Sequence, residues 1–211
     1  MKAKVIFLLS SMIILGACQP KTKLVYPVAE KGNTVDNYIG KEVPDPYRWL
    51  ENDTSQATAA WVEAENQVTN EYLSKIPFRS QLKQRLTDLV NYERIYIPQK
   101  KKGKYYFFKN DGLQNQSVLY VKDSLNGEAT VLLDPNTWSK DGTVARTGNS
   151  FSNDGKYMAY SISRSGSDWN EIYVIDLATK QLLDDHILWV KLSGASWKGD
   201  GFYYSAYDAP V

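Results

Sequence analysis

Two hydrophobic periodicities divide the chain. From residue 54 to about residue 90, apolar residues recur every three or four positions, as they do on one face of an α-helix. These are Trp61, Val68, Tyr72, Leu82, Leu86 and Leu89. From Tyr92 onward the spacing changes to two, which is typical of β-strands. The pattern predicts two helices, the first capped by Asp53 or Thr54, and then a region of strands.

A strand unit recurs in this second region. The stretch "GKYYFFKN" starts at Gly103, "GKYMAYSI" at Gly155 and "GFYYSAYD" at Gly201. In the first two copies, "VLYVKD" and "EIYVID" follow at matching positions, and each precedes a polar turn and a short apolar strand ending in "LLD". This spacing is typical of a β-propeller blade, in which four strands occupy roughly 40 to 50 residues. The same pattern also fits a plain β-sandwich.

Composition narrows the function classes. The 211 residues are 43% hydrophobic and 13% aromatic, which indicates a globular chain with a sizeable core. The formal net charge of +1 gives no general attraction to polyanions, so nucleic acid is not an expected partner. The chain holds one histidine, and no glycine-rich phosphate loop is present, so neither a zinc site nor another cofactor is expected.

The first 17 residues have the pattern of an export signal. Lys2 and Lys4 precede an apolar run from Val5 to Leu15, which is shorter than the roughly 20 residues of a transmembrane helix. The segment "LGAC" that ends at Cys18 resembles the cleavage box of bacterial lipoproteins. We therefore expect lipidation of Cys18 and a lipid-anchored protein in the periplasm or cell envelope. An ordinary signal peptide cleaved after Ala17 is the alternative.

Five ordered blocks carry a resemblance to a known family. They are "DPYRWLEN", "GLQNQSVLYVKDSL", "LLDPNTWSKDGTVA", "FSNDGKYMAYSISRSGSDW" and "VKLSGASW". In this order they resemble the prolyl oligopeptidases, and the similarity runs from Tyr26 to the last residue. The "GLQNQ" and "GSDW" blocks look most like the prolyl endopeptidase branch.

The resemblance implies a fold class and an activity. It implies a mixed fold, in which an N-terminal helical segment of an α/β-hydrolase domain (26–91) follows a linker (18–25) and precedes the first, incomplete set of propeller blades (92–211). Members of the family hydrolyse short peptides on the carboxyl side of proline with a Ser-Asp-His triad. Their propeller restricts substrate access. Short proline-containing peptides are therefore the expected partners, and the oligomeric state stays open.

The residues of a triad are not found in this sequence. The pattern G-x-S-x-G of a nucleophile elbow is absent, and the nearest stretch, "GASWKG", places Ser196 in a predicted strand. The histidine, His186, is expected in a solvated turn between blades. We therefore expect the chain to be the N-terminal part of a longer enzyme and to be inactive by itself. The alternative is a noncatalytic, truncated propeller lipoprotein that binds peptides or a protein partner.

Three residues are candidates for substrate contacts. By the resemblance, Leu192 stands where relatives place an aromatic residue in an apolar subsite, and it keeps the apolar character without the flat ring. Leu192 could equally be part of a blade core. Asp168 and Trp169, in the "GSDW" block, are weaker candidates.

Overall fold

The computed structural model describes residues 23–209. The signal segment and Cys18 therefore lie outside the described residues. The chain divides after Leu82 into two compact units, which are described separately. Within residues 23–209, neither of the two helices is both long enough and apolar enough to cross a membrane.

The first unit begins with a β-hairpin that the hydrophobic pattern did not predict. Its strands are β1 (Val35–Tyr38) and β2 (Lys41–Pro44), which pair antiparallel. Ile39 and Gly40 form the turn with φ of 53° and 84°, as a tight two-residue hairpin turn requires. Both strands are largely exposed, and their polar and apolar residues do not alternate as they do in a half-buried strand.

The two expected helices are present. After a 3-10 turn (Arg48–Glu51), α1 (Gln56–Ser74) and α2 (Arg79–Val90) follow. The N-cap of α1 is Ser55, whose side chain accepts a hydrogen bond from the backbone N–H of Thr58. The expected caps, Asp53 and Thr54, are therefore wrong by one or two positions. Asp, Thr and Ser all suit the N-cap position, so residue type does not distinguish them, and the N-cap is fixed by where the backbone enters the helix.

The second unit contains the end of α2, an antiparallel sheet of five strands, an antiparallel sheet of four strands and a hairpin. In the first sheet, β3 (Arg94–Ile95) and β4 (Gln99–Lys101) share one edge of β5 (Lys104–Asn110), followed by β6 (Val118–Lys122) and β7 (Thr130–Leu133). A 3-10 turn (Pro135–Thr137) leads to the second sheet: β8 (Val144–Phe151), β9 (Tyr157–Arg164), β10 (Asn170–Asp176) and β11 (Leu182–Val190). The hairpin consists of β12 (Ser196–Lys198) and β13 (Gly201–Tyr203).

The strand order distinguishes blades from a sandwich. Apart from β3 and β4, which both pair with β5, the strands of each sheet are neighbours in sequence order, so each sheet is a meander completed before the next begins. A Greek-key sandwich would instead alternate strands between its two sheets. The repeat seen in the sequence is thus confirmed as two successive antiparallel sheets, with β5 and β9 in equivalent places.

The second sheet is covered on both faces. Met158, Tyr160 and Ile162 of β9 pack in a cluster with residues of the first sheet such as Leu119. The intervening Ala159 belongs to a second cluster, against which the hairpin residues Trp197 and Phe202 pack. Because successive side chains of a strand point to opposite faces, β9 is buried continuously from Met158 to Ser163.

The expected mixed fold class is wrong. Most elements of the described chain are strands, only two helices occur in it, and a β-hairpin precedes them. Helical periodicity is a local property, and it located α1 and α2 correctly. The placement of this segment in an α/β-hydrolase domain came from the resemblance alone, because no pattern within residues 26–91 specifies the domain to which a helix belongs.

Candidate functional site

An open cavity of about 620 Å³ lies between the second sheet and the chain that leaves it. One wall is the middle of β8, from Thr147 to Ser150, and another is the β9–β10 turn with Ser167 and Asp168. The third wall is the crossover from β11 to β12, residues 192–196. All three walls belong to the second unit.

Leu192 projects from the crossover at the rim of this cavity. Its surface is 94% exposed, so it has almost no packing against the other residues of 23–209. Its φ of 55° is in the left-handed region, which a leucine seldom adopts. With Ala159 and Ala195, the side chain supplies apolar surface to a lining that is otherwise rich in hydroxyl and amide groups.

Asp168 lines the same cavity from the opposite turn. Its carboxylate forms an ion pair with Lys191, with 3.4 Å between Oδ2 and Nζ, and its side chain is 80% exposed. A carboxylate this exposed incurs little desolvation, and the pair is worth little as a surface ion pair. The sequence candidates Asp168 and Leu192 are therefore brought together at one cavity.

Trp169 does not line this cavity. It lies at a smaller one of about 210 Å³, beside Leu188 and Trp189. Its ring meets the Trp189 ring at 5.8 Å between centroids and the Tyr207 ring at 5.7 Å, both in edge-to-face geometry. The Nζ of Lys191 lies 5.1 Å from the centroid of the Trp169 ring. The structure thus separates Trp169 from Asp168, although the two are adjacent in sequence.

Ser196 and His186 do not form a catalytic pair. Ser196 begins β12, as its strand prediction required. His186 lies within β11, so its expected position in a turn is wrong. Its Nε2 is 2.9 Å from Oε2 of Glu171, and its ring stacks on that of Tyr173 at 4.4 Å. Within residues 23–209, the hydrogen-bond partner of this histidine is thus a carboxylate and not a serine.

Glu171 is the most strongly perturbed acid of this region. Hydrogen bonds from Arg164 lower its pKa to about 2, against the opposing effect of burial, and Tyr173 and His186 add to the lowering. The carboxylate is only 17% exposed. Sequence reasoning missed this network, because its members lie on three strands. Their meeting depends on register, which the sequence pattern does not give.

Ser150 connects two walls of the cavity. Its hydroxyl donates to the carbonyl of Ala195 at 2.8 Å. The indole N–H of Trp197 lies 3.1 Å from both the hydroxyl and the carbonyl oxygen of Ser150. These contacts fix the crossover against β8. Sequence reasoning did not single out Ser150, since an isolated serine in a strand carries no signal of its own.

The arrangement suits the binding of a ligand. Hydroxyl and amide groups with a few apolar side chains match the donors, acceptors and side chains of an extended peptide. Within the described part of the chain, no cluster of three or more His, Cys, Asp or Glu side chains could hold a metal ion. The lining also contains no histidine that could serve as a general base.

Comparison with known families identifies the chain. Residues 26–211 match the family model described as "Prolyl oligopeptidase, N-terminal beta-propeller domain". The chain belongs to the prolyl oligopeptidase family. The match includes α1 and α2 under the propeller description, in agreement with the corrected fold class.

Curated relatives and solved structures give the same family. The chain is 52% identical over 196 residues to a prolyl endopeptidase of Elizabethkingia miricola, and 53% identical to that of Elizabethkingia meningoseptica. Each match covers 92% of the chain and 28% of the relative. A structure of prolyl oligopeptidase B from Galerina marginata, bound to a 35mer hydrolysis and macrocyclization substrate, matches 88% of the chain and 30% of its own, with 30% identity and a TM-score of 0.69.

The family resemblance seen in the sequence is thereby confirmed. The matched relatives are more than three times as long as the region they share with this chain, which corresponds to the N-terminal propeller part. The domain boundaries, the roles of Leu192, Asp168 and Trp169, and lipidation at Cys18 stay predictions.

Proposed function

We propose that the chain is the N-terminal propeller part of a serine endopeptidase that hydrolyses short peptides on the carboxyl side of proline. The propeller controls substrate access, and residues outside this sequence supply the nucleophile, the base and the acid of the triad. The identity of 52% to a prolyl endopeptidase over nearly the whole chain is the observation that carries this proposal.

Within that enzyme, the cavity at Leu192 contacts the peptide away from the bond that is cleaved. Three features support this role. The cavity is open, its volume of about 620 Å³ lies within the usual range of ligand sites, and its lining has hydrogen-bonding groups beside an apolar side chain. A related structure is described as bound to a peptide substrate of 35 residues.

The full-length gene product tests the activity. We expect it to cleave a proline-containing peptide after proline and to be inactivated by a serine-directed inhibitor. Replacement of its nucleophile-elbow serine by alanine should abolish turnover. The 211 residues alone should give no turnover above background, because they contain no elbow.

A noncatalytic binding protein is the competing outcome. A coding sequence without an in-frame G-x-S-x-G beyond the codon for Val211 would support it, as would a purified full-length product that binds proline-containing peptides without cleaving them. Unimpaired turnover after loss of the elbow serine would refute the serine mechanism and leave the family membership intact.

We also propose that the protein is exported and anchored through lipid on Cys18. The sequence around Cys18 supports this, together with the basic and apolar segments before it. Labelled palmitate should enter the wild-type protein and not the Cys18→Ser variant, which should be released from membranes. Two or more acyl chains suffice for stable anchoring. Equal labelling of both proteins would refute the anchor.

A further inference from the structure

A bulge in β11 places a tryptophan in an unusual backbone conformation. Asn170 pairs with Val190 and Ile172 pairs with Ile187, so two residues, Leu188 and Trp189, stand opposite Glu171. Trp189 has a φ of 58°. Glycine is the usual residue at the left-handed position of such a bulge, and a bulky residue there is rare. The ring of Trp189 is thus held in place at a cost in backbone conformation.

The bulge directs the Trp189 ring into a cluster of three aromatic residues. The cluster consists of Trp169, Trp189 and Tyr207, and we call it the aromatic clamp. Trp169 lies at its centre, with ring centroids 5.8 Å from Trp189 and 5.7 Å from Tyr207. The backbone N–H of Tyr207 donates to the carbonyl of Trp189 at 2.9 Å, which closes the cluster.

The clamp joins the two segments that carry the sequence candidates. Asp168 directly precedes Trp169 in the β9–β10 turn, and Leu192 follows Trp189 by three residues in the crossover. Lys191 strengthens the connection, since its Nζ lies 5.1 Å from the centroid of the Trp169 ring and 3.4 Å from the Asp168 carboxylate. Val190, which follows Trp189, is fully buried and forms a β-bridge with Ala206.

Neither cavity residue has packing of its own to fix its position. Leu192 is 94% exposed, and the Asp168 side chain is 80% exposed. Their separation across the cavity therefore depends on the segments that carry them. Edge-to-face aromatic contacts with a cation over one ring are specific in geometry, so they can set this separation.

We propose that the aromatic clamp determines which peptides the cavity accepts, and that Trp189 is a positioning residue for Asp168 and Leu192. This rests on the proposed function. The part of the substrate concerned is a stretch of the peptide chain away from the cleaved bond. The clamp acts through the positions of Asp168 and Leu192, and it changes the affinity for peptides that differ in length and composition.

Variants of Trp189 in the full-length protein test the proposal. Trp189→Gly suits the left-handed backbone and removes only the ring, whereas Trp189→Phe keeps an aromatic ring. A chromogenic substrate with one residue before proline is compared with a peptide that has four residues on each side of proline. For the longer peptide, we expect Trp189→Gly to raise KM roughly tenfold with kcat unchanged. KM for the shorter substrate should not change. Trp189→Phe should have a KM for the longer peptide close to that of wild type.

A matched control separates ring loss from the change of backbone. Ile39 has a φ of 53° and a fully exposed side chain in the other compact unit, so Ile39→Gly makes the same change of residue at a left-handed position. Ile39→Gly should leave KM and kcat unchanged for both substrates. An equal rise in KM for both substrates in Trp189→Gly, or no rise for the longer one, would overturn the proposal.

Hydrogen exchange gives a readout that does not depend on turnover. Trp189→Gly should speed amide exchange in residues 165–169 and 190–196 together, and Ile39→Gly should not. Unchanged exchange in either segment would overturn the positioning role. If the wild-type protein cleaves no proline-containing peptide, the proposed function fails, and the selectivity role of the clamp fails with it. The exchange data would still show whether the clamp fixes these segments.

Discussion

The side chain of Gln116 binds the backbone of Val144 across the two sheets. Its Nε2 donates to the Val144 carbonyl at 2.7 Å, and its Oε1 accepts from the N–H of Arg146 at 2.9 Å. One amide side chain thus satisfies a donor and an acceptor on the edge of β8, as a neighbouring strand would. Gln116 belongs to the "GLQNQ" block that contributed to the family resemblance, and the structure gives this residue a physical role.

Removal of this amide should loosen the edge of β8. In Gln116→Ala, the N–H of Arg146 loses its acceptor, and the local free energy of opening should fall by about 1 to 3 kcal/mol. Hydrogen exchange at the Arg146 amide measures this. Gln114→Ala is the control, because Gln114 binds the N–H of Asp111 within its own loop. An unchanged exchange rate at Arg146 would show that water replaces the amide at no cost.

Gly112 should tolerate no side chain. A Cβ at this position would lie 2.7 Å from the backbone nitrogen of Tyr92, and the φ of Gly112 is +123°. Gly112→Ala should therefore lower the free energy of unfolding by about 3 kcal/mol or more, through strain and collision together. Urea unfolding followed by tryptophan fluorescence would measure the loss.

Gly103→Ala provides the comparison for Gly112. Gly103 has a φ of +89° with no atom within 4 Å of an added Cβ, so only backbone strain of about 1 to 2 kcal/mol should result. Equal losses in the two variants would mean that the chain at Asn91 and Tyr92 moves aside freely, and that this close approach does not stabilise the fold.

Acid should weaken the second sheet through Glu171. The pKa of this carboxyl is lowered to about 2 in the folded protein, from an ordinary value of about 4.5, chiefly by Arg164. A lowered pKa contributes stability that is present above pH 4.5 and is lost as the pH falls toward 2. The contribution is at most about 3 kcal/mol.

Glu171→Gln isolates this effect. The variant should be less stable than wild type at pH 7, because Arg164 loses its partner. It should also lose less stability than wild type between pH 5 and pH 3. The measurement is urea unfolding across this range. Glu128→Gln, at an exposed carboxylate in the β6–β7 turn, should leave the pH dependence as in wild type. Parallel curves for wild type and Glu171→Gln would contradict the assignment.

Leu192 should affect peptide affinity through its apolar surface. Under the proposed function, Leu192→Phe should keep or improve kcat/KM for a peptide that reaches the cavity. Leu192→Asp should lower it on the order of tenfold, because a charge replaces the apolar contact. Leu125→Asp, at an exposed leucine of the β6–β7 turn, is the control. The same loss in both aspartate variants would point to a general effect of charge.

The sequence by itself determined the local elements and the family. Spacings of three to four residues gave α1 and α2, spacings of two gave the strands, and the recurring "GKY" units gave two equivalent sheets. These signals are readable because helix and strand periods are set by the backbone within a few residues. The hairpin of β1 and β2 was not predicted, since its exposed strands need no apolar alternation.

Only the tertiary structure decided how the site residues are arranged. Asp168 and Trp169 are sequence neighbours, yet they face different cavities, because successive side chains diverge and the clamp holds only the second. His186 pairs with Glu171, and Trp189 reaches Trp169, through the register and bulge of β10 and β11. Register and bulges arise from the packing of whole sheets, where a shift of one residue changes every partner. No local pattern in the sequence contains that information.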